Sequence, residues 1–179
     1  MFRTGMEICY FATMGKILGI ATFLALGKFS LRFMQPDFLY PVLRALSWCV
    51  GTVLQIPFQW VPGHGFANQG LHIVIDHSCS GSGFFMLLIA MGVWNSTIPN
   101  GWQLLKLLGW LIPLAFLLTM GVNIVRLILV LGLLIHIPSM QAHQSDLHLA
   151  SGVFLFAGFL ILYHMAWQSR LFSLSRKFA

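Results

Sequence analysis

The chain has 179 residues, of which 58% are hydrophobic and only 8% are charged. Soluble domains carry about a quarter charged residues, so ten Lys and Arg with four Asp and Glu are too few to cover a water-facing surface. The composition therefore excludes a soluble globular enzyme and a disordered tail. The formal charge of +6 does not indicate nucleic-acid binding either, because the basic residues lie scattered at the flanks of apolar runs, as in membrane proteins.

Apolar stretches of about 20 residues, long enough to cross a bilayer, recur along the chain. They predict an all-α fold, a polytopic helical bundle of about five to six transmembrane segments in a single membrane-embedded domain over residues 1–179. A further stretch, Asn123–Ile137, has only 15 residues, and joined to its predecessor it would be too long for one ordinary crossing. We therefore expect a short or re-entrant helix there, on the outer side. The longer stretches are Ile8–Gly27, Phe38–Pro57, Ser80–Thr97, Leu104–Val122 and His148–Trp167.

The basic residues of the loops predict the orientation. Phe58–Ser78 and Pro138–Leu147 contain no Lys or Arg, whereas the tail Gln168–Ala179 has three basic residues and no acid. The loop after the first stretch carries Lys28 and Arg32. By the positive-inside rule, the tail and the Lys28 loop are cytoplasmic and the two loops without Lys or Arg face outward. Five crossings then place the N-terminus outside.

The first stretch allows a second interpretation. Its core Ile17–Leu26, followed by Gly27, is similar to the apolar region of a signal peptide with a cleavage site at Ala25-Leu26-Gly27. The long preceding segment, which contains Glu7, argues for a span instead.

Cys79 is the first candidate for chemistry. It lies in Asp76-His77-Ser78-Cys79-Ser80-Gly81-Ser82-Gly83, directly before the apolar run Phe84–Val93. This position predicts a thiol at the outer N-terminus of a membrane helix, where the helix dipole favours the nucleophilic thiolate. Ser78 and Ser80 offer capping hydroxyls. The alternative is a helix start built from small residues with an incidental cysteine.

Arg126 is the second candidate, since apolar residues surround it on both sides. An arginine in the middle of a membrane costs about 2.5–3.5 kcal/mol on insertion scales, so it usually has a partner or a task. Asn123 lies three residues earlier on the same helical face, where we expect it to orient the guanidinium. The alternative is an arginine that snorkels to the lipid headgroups.

His148 is the third candidate, at the outer end of the last stretch. Gly152, four residues on, shares its helical face and allows a close approach. A histidine in this place can act as general base or acid near neutral pH. An interfacial histidine without a function is the alternative, and His143 and His77 are rivals for the role of base.

Cys79, Arg126 and His148 are thus all expected near the outer membrane boundary, at the ends of three separate apolar segments. A Cys nucleophile, a His base and an Arg donor suffice for acyl transfer through a thioester. This chemistry requires no cofactor and no metal. His64, His72 and His77 share one outer loop, but no pair of them has a firm zinc spacing.

In this order, the three motifs resemble those of the exosortase/archaeosortase family of membrane cysteine transpeptidases. The resemblance rests on Cys79-Ser80-Gly81, Asn123-Ile124-Val125-Arg126 and His148 with Gly152, and it covers roughly residues 38–167. The short chain is similar to the compact members, of the exosortase K type. The chain differs from many relatives in having His77 where they have Glu, with Asp76 as a substitute acid, and Ser82 where they have Leu or Ile.

The resemblance implies that Cys79 is the nucleophile, Arg126 the cation that orients the substrate or stabilises the transition state, and His148 the proton shuttle. It implies a location in the bacterial cytoplasmic membrane with the site facing outward. The partners would be exported proteins with a C-terminal sorting signal, made of a short motif, an apolar helix and a basic tail, besides membrane lipid and no nucleic acid. Two other functions remain open at this point. One is a haem protein with His136 and His164 as axial ligands, and the other is a non-catalytic subunit or transporter with Arg126 as counter-ion.

Overall fold

A computed structural model describes residues 3–32, 36–70, 73–96 and 101–168 of the chain. The fold is mostly helical, with a small antiparallel sheet between the second and third α-helices. Short 3₁₀ turns, Pro36–Leu39, His77–Ser80 and Pro138–His143, precede the second, third and fifth helices. The α-helices are α1 (Arg3–Arg32), α2 (Tyr40–Leu54), α3 (Ser82–Asn95), α4 (Gly101–His136) and α5 (Gln144–Gln168).

Three of the described helical segments are long and apolar enough to cross a membrane: His77–Asn95, Gly101–His136 and Gln144–Ala166. The predominantly helical fold is thus confirmed, and three helices could cross a membrane, whereas five to six spans are not confirmed. The stretch Phe38–Pro57 is divided between a 3₁₀ turn and the 15-residue α2. A helix of that length is too short to cross about 30 Å of hydrocarbon.

The expected separate helix over Asn123–Ile137 is wrong, because α4 continues through this stretch as one helix of 36 residues. At 1.5 Å per residue α4 is about 54 Å long, well beyond the thickness of a bilayer. The part of α4 that exceeds the bilayer thickness need not lie in lipid, because α2 and the sheet cover the C-terminal part of the helix. Leu127, Val130, Leu131 and Leu134 are buried there in one core with residues of α2.

The expectation of a purely helical fold is also incomplete, because the uncharged segment after α2 forms three strands. They are β1 (Gln59–Val61), β2 (Gly65–Asn68) and β3 (Ile73–Ile75), paired antiparallel in the order β1-β2-β3. Ile73 and Ile75 are buried against the core of α2 and α4, while Val74 between them is exposed. This short alternation is the sequence signal of a half-buried strand, and β3 leads directly to Cys79.

The expected position of the N-terminus, on the same side as Cys79, does not agree with the packing of α1. Helix α1 runs antiparallel to α3, because Lys16 Nζ donates to the Ser96 carbonyl at 2.8 Å while Gly27 packs against Met86. The turn Pro36–Leu39, after α1, contacts the turn that contains Cys79. The Lys28 end of α1 therefore lies at the Cys79 end of the bundle.

The start of α1 and the end of α5 lie together at the opposite end of the bundle. Asn95, at the C-terminal end of α3, hydrogen-bonds His164 near the end of α5 (3.3 Å). The first turns of α1 and the last turns of α5 therefore lie at the same end of the bundle, whereas five crossings would place them at opposite ends. The Lys28 loop and the C-terminal tail, expected on one side of the membrane, follow helix ends at opposite ends of the bundle.

The packing of α2 on α4 makes a stability prediction with a matched control. Leu134 is 2% exposed and belongs to the core shared with α2, whereas its neighbour Leu133 is 42% exposed. We expect Leu134→Ala to lower the free energy of unfolding by about 2–5 kcal/mol, because it leaves a cavity. Leu133→Ala should cost less than about 1 kcal/mol. Unfolding of the purified protein in mixed micelles measures both, and equal losses would contradict this packing.

Candidate active site

The structure brings together the three residues predicted from the sequence, which come from three separate elements. Cys79 lies in the 3₁₀ turn before α3, Arg126 in α4 and His148 in the second turn of α5. The Cys79 Sγ lies 3.9 Å from His148 Nε2, and the Arg126 Nη2 lies 3.2 Å from the same nitrogen. Residues separated by as many as 69 positions thus meet at one imidazole nitrogen.

The local sequence explains how Cys79 is held. The Asp76 carboxylate accepts hydrogen bonds from the Ser78 N–H (2.9 Å) and hydroxyl (2.6 Å), and the Asp76 carbonyl accepts from the Cys79 N–H (3.0 Å). The carboxylate therefore caps the turn, as Asp does at helix starts. The Ser78 hydroxyl also lies 3.9 Å from the Cys79 Sγ. Asp76 therefore positions the Cys79 thiol through the backbone and Ser78.

The residues that follow Cys79 direct the chain into α3. Gly81 is the N-cap of α3 and has a φ of 70°, in the left-handed region that favours glycine. A Cβ at this position would collide with the Asn123 carboxamide on α4. The Ser80 hydroxyl is buried and accepts a hydrogen bond from the Ser82 N–H (3.3 Å). Ser80, and not Ser78, therefore supplies a capping hydroxyl to the start of α3.

Arg126 is held between α4 and α5 and is only 5% exposed. Its guanidinium carbon lies 5.1 Å from the centre of the Phe156 ring, within the range of a cation–π interaction. Gly152 makes room for it, since a Cβ there would lie 3.0 Å from Nη1. An arginine buried in this way and bonded to His148 does not snorkel to the lipid headgroups.

The interpretation of Asn123 changes. Asn123 is 0% exposed, and neither its Oδ1 nor its Nδ2 has a hydrogen-bond partner among the described residues. It therefore does not orient the Arg126 guanidinium through a hydrogen bond, as the three-residue spacing predicted. Its amide packs against Gly81 instead. Thr119, one turn earlier, packs against the same glycine and is likewise buried.

Each of the two rival bases pairs with an aspartate. The His77 ring is about half exposed and lies 3.9 Å from the Asp76 carboxylate, while His143 pairs with Asp146 at 3.8 Å on the surface. His148 is therefore the histidine placed to act on Cys79. His136 and His164 lie about 15 Å beyond Arg126 and about 24 Å beyond His148 in opposite directions along the bundle, so they do not form one axial pair.

The sequence did not predict the contribution of Phe156. It predicted that Ser78 caps α3, whereas the Ser78 hydroxyl donates to Asp76. Phe156 follows Gly152 by four residues and His148 by eight, so it lies on the same face of α5. It also stacks on Phe84 of α3, with ring centres 4.5 Å apart. Helical periodicity from His148 could have identified it as the residue beneath the guanidinium.

The site combines a thiol, an imidazole and a guanidinium at the N-terminal end of α3. Such a set can perform nucleophilic acyl transfer. Comparison with protein-family models, with curated proteins and with solved structures finds no match to this chain.

Proposed function

We propose that the protein is a membrane cysteine peptidase or transpeptidase of the exosortase type. It would cleave the C-terminal sorting tail of exported proteins and pass the acyl group to water or to a surface acceptor. One observation carries this proposal: Cys79 and Arg126 both meet Nε2 of His148, at 3.9 and 3.2 Å. A cysteine and an arginine with purely structural roles would not need to approach the same imidazole nitrogen.

The chemistry follows from these three side chains. The Cys79 sulfur attacks the scissile carbonyl carbon, and its proton passes to His148 Nε2. The carbonyl oxygen becomes an oxyanion, which the Arg126 guanidinium stabilises. The C–N bond then breaks, His148 returns the proton to the leaving amine, and a thioester remains on Cys79. Water or an amine attacks the thioester carbon and loses its proton to His148, the C–S bond breaks, and His148 returns that proton to the Cys79 sulfur.

The charge distribution supports a site that faces outward in a bacterial cytoplasmic membrane. The end of the bundle opposite Cys79 carries Lys106 near the start of α4, and the tail with Arg170, Arg176 and Lys177 follows the end of α5 there. Together with Arg3 and Lys16 of α1, six of the ten basic residues belong to this end or follow it, and three, Lys28, Arg32 and Arg44, belong to the Cys79 end. By the positive-inside rule this favours a cytoplasmic tail. A sorting helix beside α3–α5 would then present its outer end to Cys79.

The test is to express the protein with an exported protein whose C-terminus combines a short motif, an apolar helix and basic residues. We expect loss of the tail and a covalent complex that neutral hydroxylamine releases, because hydroxylamine cleaves thioesters. Both should be absent in Cys79→Ala and unchanged in Cys49→Ala, a half-buried cysteine of α2 outside the site. Tail removal by Cys79→Ala, measured by mass spectrometry of the exported protein, would contradict the proposal.

A further inference from the structure

The Arg126 guanidinium and the Cys79 thiol compete for one lone pair. A guanidinium has only N–H donors, so in the 3.2 Å contact Nη2 donates and His148 Nε2 accepts. The histidine is therefore neutral, with its hydrogen on Nδ1. The Cys79 thiol, at 3.9 Å, needs the same Nε2 lone pair to release its proton. While Arg126 donates to Nε2, His148 is a poor base for Cys79.

Arg126 has a donor left over for another partner. Its Nε is buried and has no hydrogen-bond partner among the described residues. In a guanidinium, Nε–H and Nη2–H point the same way and form one edge of the fork, which binds carbonyl or carboxylate oxygens with two parallel hydrogen bonds. The Nε–H of this edge is thus unpaired, and Nη2, which carries the other N–H of the edge, is held by its contact with His148.

We infer that Arg126 restrains His148 until a substrate oxygen takes the Nε–H and Nη2–H edge. This inference rests on the proposed function and concerns the regulation of the same site. An oxygen of the substrate that binds this edge draws Nη2–H away from Nε2. The freed lone pair then accepts the Cys79 proton, and the sulfur attacks while the guanidinium remains on the oxygen that becomes the oxyanion.

The alkylation rate of Cys79 tests this coupling without any substrate. Purified protein with Cys9→Ala and Cys49→Ala is treated with iodoacetamide, and the modified fraction is followed by mass spectrometry. Removing the restraint in Arg126→Met should raise the rate about tenfold, equivalent to about 1.4 kcal/mol. Arg44→Met, an exposed arginine of α2, is the matched control and should leave the rate unchanged. If Arg126 served only to stabilise the thiolate by its charge, the rate would fall, and a lower or unchanged rate would overturn the inference.

Two further variants test whether Arg126→Met raises the alkylation rate by freeing His148 or only by exposing Cys79 to the reagent. Adding His148→Ala to Arg126→Met should abolish the increase, because the base is then gone, and a rate that stays high would overturn the inference.

Phe156→Leu keeps Arg126 but removes the ring 5.1 Å from its guanidinium. A smaller increase is expected in this variant, and it covers the case in which Arg126→Met does not fold. A rate equal to that of the unsubstituted protein would again contradict the restraint. Since alkylation needs no exported protein, this result is independent of tail removal by Cys79.

Discussion

Replacing His148 by alanine is expected to reduce tail removal at least about a thousandfold while the protein still inserts and folds. General acid–base catalysis contributes roughly 10²–10⁴ in rate, and a thiol attack without a base loses both the proton acceptor and the proton donor. His148 Nε2 is the nitrogen that both Cys79 and Arg126 approach. The measurement is the initial rate of tail removal in membranes that contain equal amounts of each variant.

His143→Ala is the matched control for this prediction. His143 lies in the turn just before α5, with its side chain 68% exposed and paired with Asp146. We expect its replacement to change the rate less than twofold. If His143→Ala were as inactive as His148→Ala, the assignment of the base would have to be abandoned. Full activity of His148→Ala would have the same consequence.

Replacing Gly81 by alanine should destabilise the protein by about 2–5 kcal/mol. The left-handed conformation costs a residue with a Cβ roughly 1–2 kcal/mol. Inserting a methyl group into a packed site adds typically 1–3 kcal/mol. At Gly81, with a φ of 70°, the new Cβ would strike the Asn123 carboxamide and also approach the Thr119 methyl group to 2.8 Å. Unfolding of the purified protein in mixed micelles measures the loss.

Gly83→Ala provides the control within the same turn. Gly83 lies in the first turn of α3, and nothing lies within 4 Å of a Cβ placed there. The substitution should be neutral or slightly stabilising, because alanine is the better helix former. A second replacement, Asn123→Ala, should restore part of the stability lost in Gly81→Ala, since it removes the group that is struck. No difference in stability between Gly81→Ala and Gly83→Ala would refute this account of the junction.

The residues of the candidate site could be chosen from the sequence because of where they stand in apolar segments. Arg126 is surrounded by residues that belong in lipid, so burying it requires a partner. Cys79 and His148 each precede a long apolar run, which predicts their position near a helix start. None of this required knowledge of neighbours in space. The neighbours themselves, including Phe156 beneath the guanidinium, follow from α5 lying against α4 and α3.

The number of crossings could not be counted in the same way. Apolar length alone does not distinguish a segment that faces lipid from one that faces protein, because both exclude water. The 15 residues of α2 and the last part of α4 bury each other, so neither needs a separate crossing. Asn123 is a similar case: the spacing to Arg126 is helical, but the close approach of Gly81 determines what its amide contacts.

The sequence by itself determined the helical class and the presence of helices apolar enough to cross a membrane, and it predicted the three candidate residues that the structure brings together, since composition and local position dictate where apolar and charged side chains are stable. The tertiary structure alone decided that α1 and α3 run antiparallel, that a sheet and α2 cover α4, and that Cys79 and Arg126 share one nitrogen of His148. These features depend on which apolar surfaces pack together. Packing is a property of pairs of segments distant in the chain, and single-segment patterns do not specify it.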